Sequence, residues 1–199
     1  MAKPKIVILN GPPRCGKDTI GAALVGRLNC VTTCFKHDLY RATAKHFKVD
    51  LKEFIALASD GAKKDVLQNH LGMTPREALI HVSEDIYKPM YGKGYFGMLA
   101  LERVEDQIDL DLEYIVFTDG GFVEEVAVFV DAGYEVEVIQ LHGRGDFSND
   151  SRRYITAAGA DCSVLWLEEG NVEKAVAEVI KFLSWRATAV TRSLTGKSE

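Results

Sequence analysis

Five short apolar runs, each separated from the next by a stretch of helical periodicity, constrain this chain more than any other feature. Lys5–Asn10 (KIVILN), Val31–Phe35, Tyr114–Thr118 (YIVFT), Glu135–Leu141 (EVEVIQL) and Ser163–Leu167 (SVLWL) read as strands. Several are apolar on both faces, and a strand buried on both faces belongs in a sheet covered by helices on two sides. Helices intervene, so successive strands must cross over rather than turn straight back. The pattern predicts an α/β fold in three layers around a five-stranded parallel sheet. Ligands in such folds sit beyond the carboxyl ends of the strands.

The helical segments carry their own punctuation. Asp18–Leu28 repeats Ile20, Ala23, Leu24 and Leu28, a helix is expected from about Asp38 to Phe47, and Asp50-Leu51-Lys52-Glu53 has capping-box spacing. Thr74-Pro75-Arg76-Glu77 is the clearest helix start: a capping hydroxyl, a proline at the first helical position and a glutamate that closes the box. Ala78, Leu79, Val82 and Ile86 then form its buried stripe. Tyr91-Gly92-Lys93-Gly94 interrupts the pattern, Tyr95–Ile108 resumes it, and Phe122–Ala132 stops at Gly133. Asn171 caps a last helix through Leu183, and the tail past Trp185 loses periodicity and is expected to fray. No repeat or linker divides the chain, so residues 1–199 are expected to form one domain.

Composition excludes several classes. With 24 basic and 29 acidic side chains the net charge is −5, the wrong sign for wrapping duplex DNA, so no nucleic-acid partner is expected. A local basic patch can still oppose that sign and hold a small anion. No run approaches the ~20 apolar residues of a membrane span, and Ile6–Leu9 is too short for the core of a signal peptide. Cys15, Cys30, Cys34 and Cys162 form no C-x-x-C pair, which fits reduced thiols in a cytoplasmic protein.

Chemistry enters directly after the first strand. Gly11-Pro12-Pro13-Arg14-Cys15-Gly16-Lys17-Asp18 matches G-x-x-x-x-G-K, with Asp18 where serine or threonine is usual. The glycines let the backbone curl so that Gly11, Arg14, Cys15, Gly16, Lys17, Asp18 and Thr19 can present N–H groups to phosphate oxygens. The following helix adds the partial positive charge of its N-terminus, and Lys17 can reach the outer phosphates. A nucleoside triphosphate is the expected ligand. Asp18 would add a carboxylate to the shell of a Mg²⁺ ion, and Asp119, at the end of the third strand, is the second metal candidate.

The run Gly11 to Thr19, G-x-x-x-x-G-K-D-T, resembles the deoxynucleoside monophosphate kinases of tailed bacteriophages, relatives of adenylate kinase with the P-loop fold. Thr74-Pro75-Arg76 is similar to a Thr-Pro-Arg in their monophosphate-binding region. Asp119-Gly120-Gly121-Phe122 with Glu125 stands where they carry Asp-x-Arg-Phe and then Glu, and Ser148-Asn149-Asp150-Ser151 is similar to a lid-region Ser-Asn-Asp-Thr. The resemblance implies a three-layer P-loop kinase, a helical acceptor region around residues 36–112, a short lid around 143–155 and, as in relatives, a homodimer. It further implies ATP- and Mg²⁺-dependent phosphorylation of a deoxynucleoside monophosphate for viral DNA synthesis, in host cytoplasm. Two departures stand out: Gly121 replaces the family arginine, and Ile80 and Ser83-Glu84 replace Gln and Gly-Thr. Phosphomevalonate kinase, with a similar Gly-Lys-Asp loop, and a non-catalytic nucleotide-binding descendant are the alternatives.

Phosphoryl transfer needs cations near the strand ends. Arg76 is the first choice for the acceptor phosphate, and Lys64 stands as a further candidate that equally fits a solvated helix face. Asp38 either caps its helix or faces the acceptor, and Phe96 either packs in the core or borders the nucleotide. In the glycine-bearing 143–155 segment, Arg144 and Arg152 are equal candidates for a phosphate contact that completes the catalytic set with Lys17 and Arg76.

Overall fold

The computed structural model describes residues 3–106, 111–148 and 152–195, with the backbone alone from 186 onward. Strands β1 (Lys5–Asn10), β2 (Cys30–Thr33), β3 (Tyr114–Phe117), β4 (Val136–His142) and β5 (Asp161–Trp166) form one sheet in the order β2-β3-β1-β4-β5. Every pairing in it is parallel. The helices are α1 (Lys17–Val25), α2 (Lys36–Phe47), α3 (Leu51–Ser59), α4 (Pro75–Ile80), α5 (Lys88–Tyr91), α6 (Tyr95–Glu105), α7 (Val123–Asp131) and α8 (Val172–Thr195), with a π-helical stretch, His81–Tyr87, joining α4 to α5.

Both faces of the sheet are covered, as the apolar strands require. On one face Ile6, Ile8, Phe117 and Val138 pack with Ala100 and Val104 of α6 and Val126 and Phe129 of α7. On the other, Val7, Leu9, Ile139 and Leu141 pack with Ile20 and Leu24 of α1 and Val176 and Val179 of α8. A third, smaller core centred on Phe54, Ala58 and Ala78 serves α2, α3 and α4.

This topology positions a crevice. The segment after β1 leads to α1 on one face, whereas the segment after the adjacent β3 leads to α7 on the opposite face. Where neighbouring strands send their chains to opposite sides, an opening forms at the carboxyl ends. It is bordered by Gly11–Gly16 and Asp119–Gly121.

Several boundaries differ from expectation. β2 ends at Thr33, and Phe35 leaves the strand to precede α2, where its ring stacks on Phe117 at 4.3 Å. The stretch after Ile80 widens into a π-helix, which an apolar stripe of helical spacing does not distinguish from an α-helix. α8 continues to Thr195 rather than ending at Leu183. Helix α6 ends at Glu105, and Ile108 lies outside the described residues, as do Asn149, Asp150 and Ser151 of the expected lid. The capping expectations hold: Thr74 and Glu77 close a reciprocal box, Asp50 accepts from the N–H groups of Lys52 and Glu53, and Asn171 accepts from that of Lys174. No helix among the described residues is long and apolar enough to cross a membrane.

Candidate functional site

Lys17 opens α1 directly below the curled loop and is almost fully buried. Its ammonium donates to the carbonyl oxygens of Gly11 at 2.7 Å and Pro12 at 2.6 Å and lies 3.7 Å from Cys15 Sγ. Burial holds its pKa below the ordinary lysine value; Cys15 opposes the shift, while the charges of Arg152 and Lys36 add to it. A buried cation held by two neutral carbonyls and a cysteine sulfur is poised for a stronger, anionic partner. Gly16 takes a left-handed conformation with φ 108° as the cap of α1, and a side chain at Gly11 would strike Cys15 Sγ and the Leu141 carbonyl, which explains both glycines. Arg14, at φ 63°, is a non-glycine residue in the left-handed region, and its guanidinium extends to the backbone at Gly61. Thr19 lies exposed on the first turn of α1.

Two carboxylates face the same opening. Asp119 is buried; its Oδ2 accepts from the Lys36 backbone N–H at 2.9 Å, while Oδ1 has no hydrogen-bond partner among the described residues. Asp18 is exposed, and its Oδ1 accepts from the Thr118 hydroxyl at 2.7 Å, so the residue before Asp119 ties the two together. No cluster of three or more metal-type side chains occurs among the described residues. That donor set suits Mg²⁺, which takes one or two carboxylates and completes its shell with water and substrate phosphates. The orphaned Oδ1 of Asp119 is the observation in favour of the fit.

Around these acids the cations gather. Arg152 donates from Nη1 to the Asp119 carbonyl at 2.8 Å and bears on Lys17. Arg144 instead turns toward Glu169, 3.9 Å away, so the fold separates two arginines that the sequence leaves equal. On the far side, Arg76 is bonded through Nε to Asp65 at 2.6 Å, and its backbone N–H donates to the Lys64 carbonyl. Partial burial lowers the Lys64 pKa, and Arg76, Arg14 and Lys36 lower it further, with Asp65 opposing. Lys36 therefore acts on both Lys17 and Lys64. It is the residue that sequence reasoning missed; the available signal was its place at the first turn of the helix that follows a strand end.

The structure also places the two candidates for which the sequence leaves alternatives. Asp38 pairs with Arg103, whose guanidinium also donates to the Cys34 carbonyl, so its carboxylate ties α2 to α6 rather than facing the opening. Phe96 is 2% exposed, with its ring against Tyr87 and Tyr95, so it takes the core position, one of the two alternatives. At Gly121, with φ 59°, an added Cβ would lie 2.6 Å from the ring of Phe35. No side chain can stand there while Phe35 keeps its place.

The site so defined is a gathering of cations around two carboxylates at the switch point of a parallel α/β sheet. No protein-family model matches the chain, and no curated protein matches it.

Proposed function

We propose that the chain is a kinase of the P-loop fold that transfers the γ-phosphoryl group of ATP, with Mg²⁺, to a deoxynucleoside monophosphate. The observation that carries this reading is the buried Lys17 ammonium, held across the loop by the Gly11 and Pro12 carbonyls between the central strand and α1. The loop N–H groups and Lys17 would bind the triphosphate, with Lys17 exchanging two neutral acceptors for anionic oxygens. Asp18 and Asp119 would hold Mg²⁺, which when bound neutralises charge on the phosphates.

The acceptor reading follows from the second group of cations. Arg152 and Lys36 act on Lys17, whereas Arg76, Arg14 and again Lys36 act on Lys64, so Lys36 bears on both sets. Two separate anions brought toward each other need positive charge on both, and two linked groups of cations support that reading. No general base is required, because a phosphate monoester oxygen is already nucleophilic at neutral pH. A second reading, a nucleotide-binding descendant without turnover, has one observation in its favour: Phe35 fills the space beside Gly121 where the resembling family carries an arginine.

A coupled ADP-release assay with ATP, Mg²⁺, each of the four deoxynucleoside monophosphates and phosphomevalonate separates these readings. Turnover is expected with at least one deoxynucleotide, falling by about 100-fold or more in Lys17→Ala, as when one electrostatic contact to the transferring group is lost. Turnover with phosphomevalonate alone would assign a different acceptor. ATP binding with no acceptor-dependent turnover would favour the non-catalytic reading.

A further inference from the structure

Trp166 ends the edge strand β5 and is 69% exposed, an unusual setting for the largest apolar side chain. It does not stand alone. Its ring centroid lies 5.2 Å from that of His142 at the end of β4, and His142 stacks face to face on Tyr154, 3.8 Å apart and within 8° of parallel. Tyr154 is fixed in turn by its hydroxyl, which donates to the Leu141 carbonyl at 3.0 Å, and by the edge of Phe147. The indole is thus the outermost member of an aromatic row whose inner members are locked.

The turn after β4 sets this row beside the phosphate loop. At Gly143, φ 87°, a Cβ would lie 3.0 Å from the Leu167 carbonyl and 3.6 Å from the Trp166 ring. At Gly145, φ 71°, a Cβ would lie 3.0 Å from the Pro13 carbonyl and 3.1 Å from Pro12 Cβ. One glycine therefore packs on the indole and the other on the loop. Two residues span at most about 7.6 Å between Cα atoms, so the turn that touches the indole also touches the loop. Tyr154 also lies near the loop thiol of Cys15.

We infer that the open face of Trp166, backed by the His142–Tyr154 stack, is the platform on which the base of the bound nucleoside triphosphate lies; this rests on the phosphate-loop reading above. Stacking on an indole is open to any base, because each presents a π-face. The platform accordingly selects nucleotides over bare polyphosphates and larger purines over pyrimidines, without reading hydrogen-bonding edges. The row is already rigid, so little side-chain freedom is lost when the base arrives.

Calorimetric titration of ATP and of inorganic tripolyphosphate into the parent, Trp166→Ala and Trp166→Phe tests this. Trp166→Ala is expected to weaken ATP about tenfold or more, the loss of one base–aromatic stack, and to leave tripolyphosphate unchanged; Trp166→Phe should retain most of the ATP affinity. In a Trp185→Phe background, ATP should quench the remaining indole emission and tripolyphosphate should not. Unchanged ATP affinity in Trp166→Ala, or an equal loss for both ligands, would overturn the platform. A parent that binds neither ligand would instead overturn the phosphate loop itself, and the platform with it.

Discussion

Glu125 holds a carboxyl group inside the protein, 5% exposed, with one oxygen accepting from the Phe122 N–H at 2.8 Å. Burial and the nearby Asp119 charge push its pKa up to about 7, against the weaker pull of Lys88 and with Glu124 adding to the rise. The folded protein therefore holds a proton between roughly pH 4.5 and 7 that the unfolded chain releases, so this group makes stability decline as pH rises through that window and stay level above it. Glu125→Gln keeps an acceptor for Phe122 and removes the titration. We expect it to flatten the decline and to be more stable than the parent at pH 8 by on the order of 2–3 kcal/mol, with little difference near pH 4.5. Urea midpoints at the two pH values check this, and an undiminished slope in the variant would refute it. A glutamate in the first turn of a helix reads in sequence as a solvated capping partner. Its burial comes from Gly97, where a Cβ would stand 2.7 Å from the Glu125 Cα, so that α6 closes over the start of α7. No local pattern in the sequence announces that approach.

At the scale of elements, Asn10 connects the central strand to the segment that carries Arg152. Its amide donates to the Arg153 carbonyl at 3.2 Å and its Oδ1 accepts from the Ile155 N–H at 2.9 Å, with the side chain 1% exposed. Asn10→Leu leaves both backbone groups without their partner, and each buried unsatisfied group costs about 1–3 kcal/mol. Loss of thermal stability and faster amide exchange over 152–157 are expected; protection there equal to the parent would show that the segment is held by other contacts. The strands were legible because β1 and β3 are near-continuous apolar runs and the others are short β-type runs set between helical segments, and the start of α4 because its cap chemistry is local. The site was legible only in part. Lys17 and Asp18 open the helix that the motif marks and Asp119 follows a strand that periodicity marks, but Thr118 gains its role through register, since its N–H pairs with the carbonyl of Thr33 at the end of β2. Arg144 and Arg152 differ only in where the chain takes them after β4, a matter of long-range packing that spacing does not encode.

Across the whole molecule, a net charge of −5 coexists with a gathering of Lys17, Lys36, Lys64, Arg14, Arg76 and Arg152 at one end of the sheet. Like charges brought together oppose folding, as the lowered pKa values of Lys17 and Lys64 register after burial itself. A polyanion that binds the folded state alone must then stabilise the entire domain by mass action, by about 2.7 kcal/mol at one hundred times its Kd. For a chain of this size that corresponds to a rise in Tm of roughly 5–10 °C. Tripolyphosphate at matched ionic strength should produce this rise in the parent and little of it in Lys17→Ala, whereas Arg76→Ala, whose guanidinium is bonded to Asp65, should keep most of it. Generic screening predicts otherwise: sodium chloride at the same ionic strength would match the effect, and the two variants would respond alike. Scanning calorimetry of the three proteins distinguishes a site with an address from a surface that merely tolerates salt. An equal response from all three would mean that the cations share a neighbourhood without sharing a ligand.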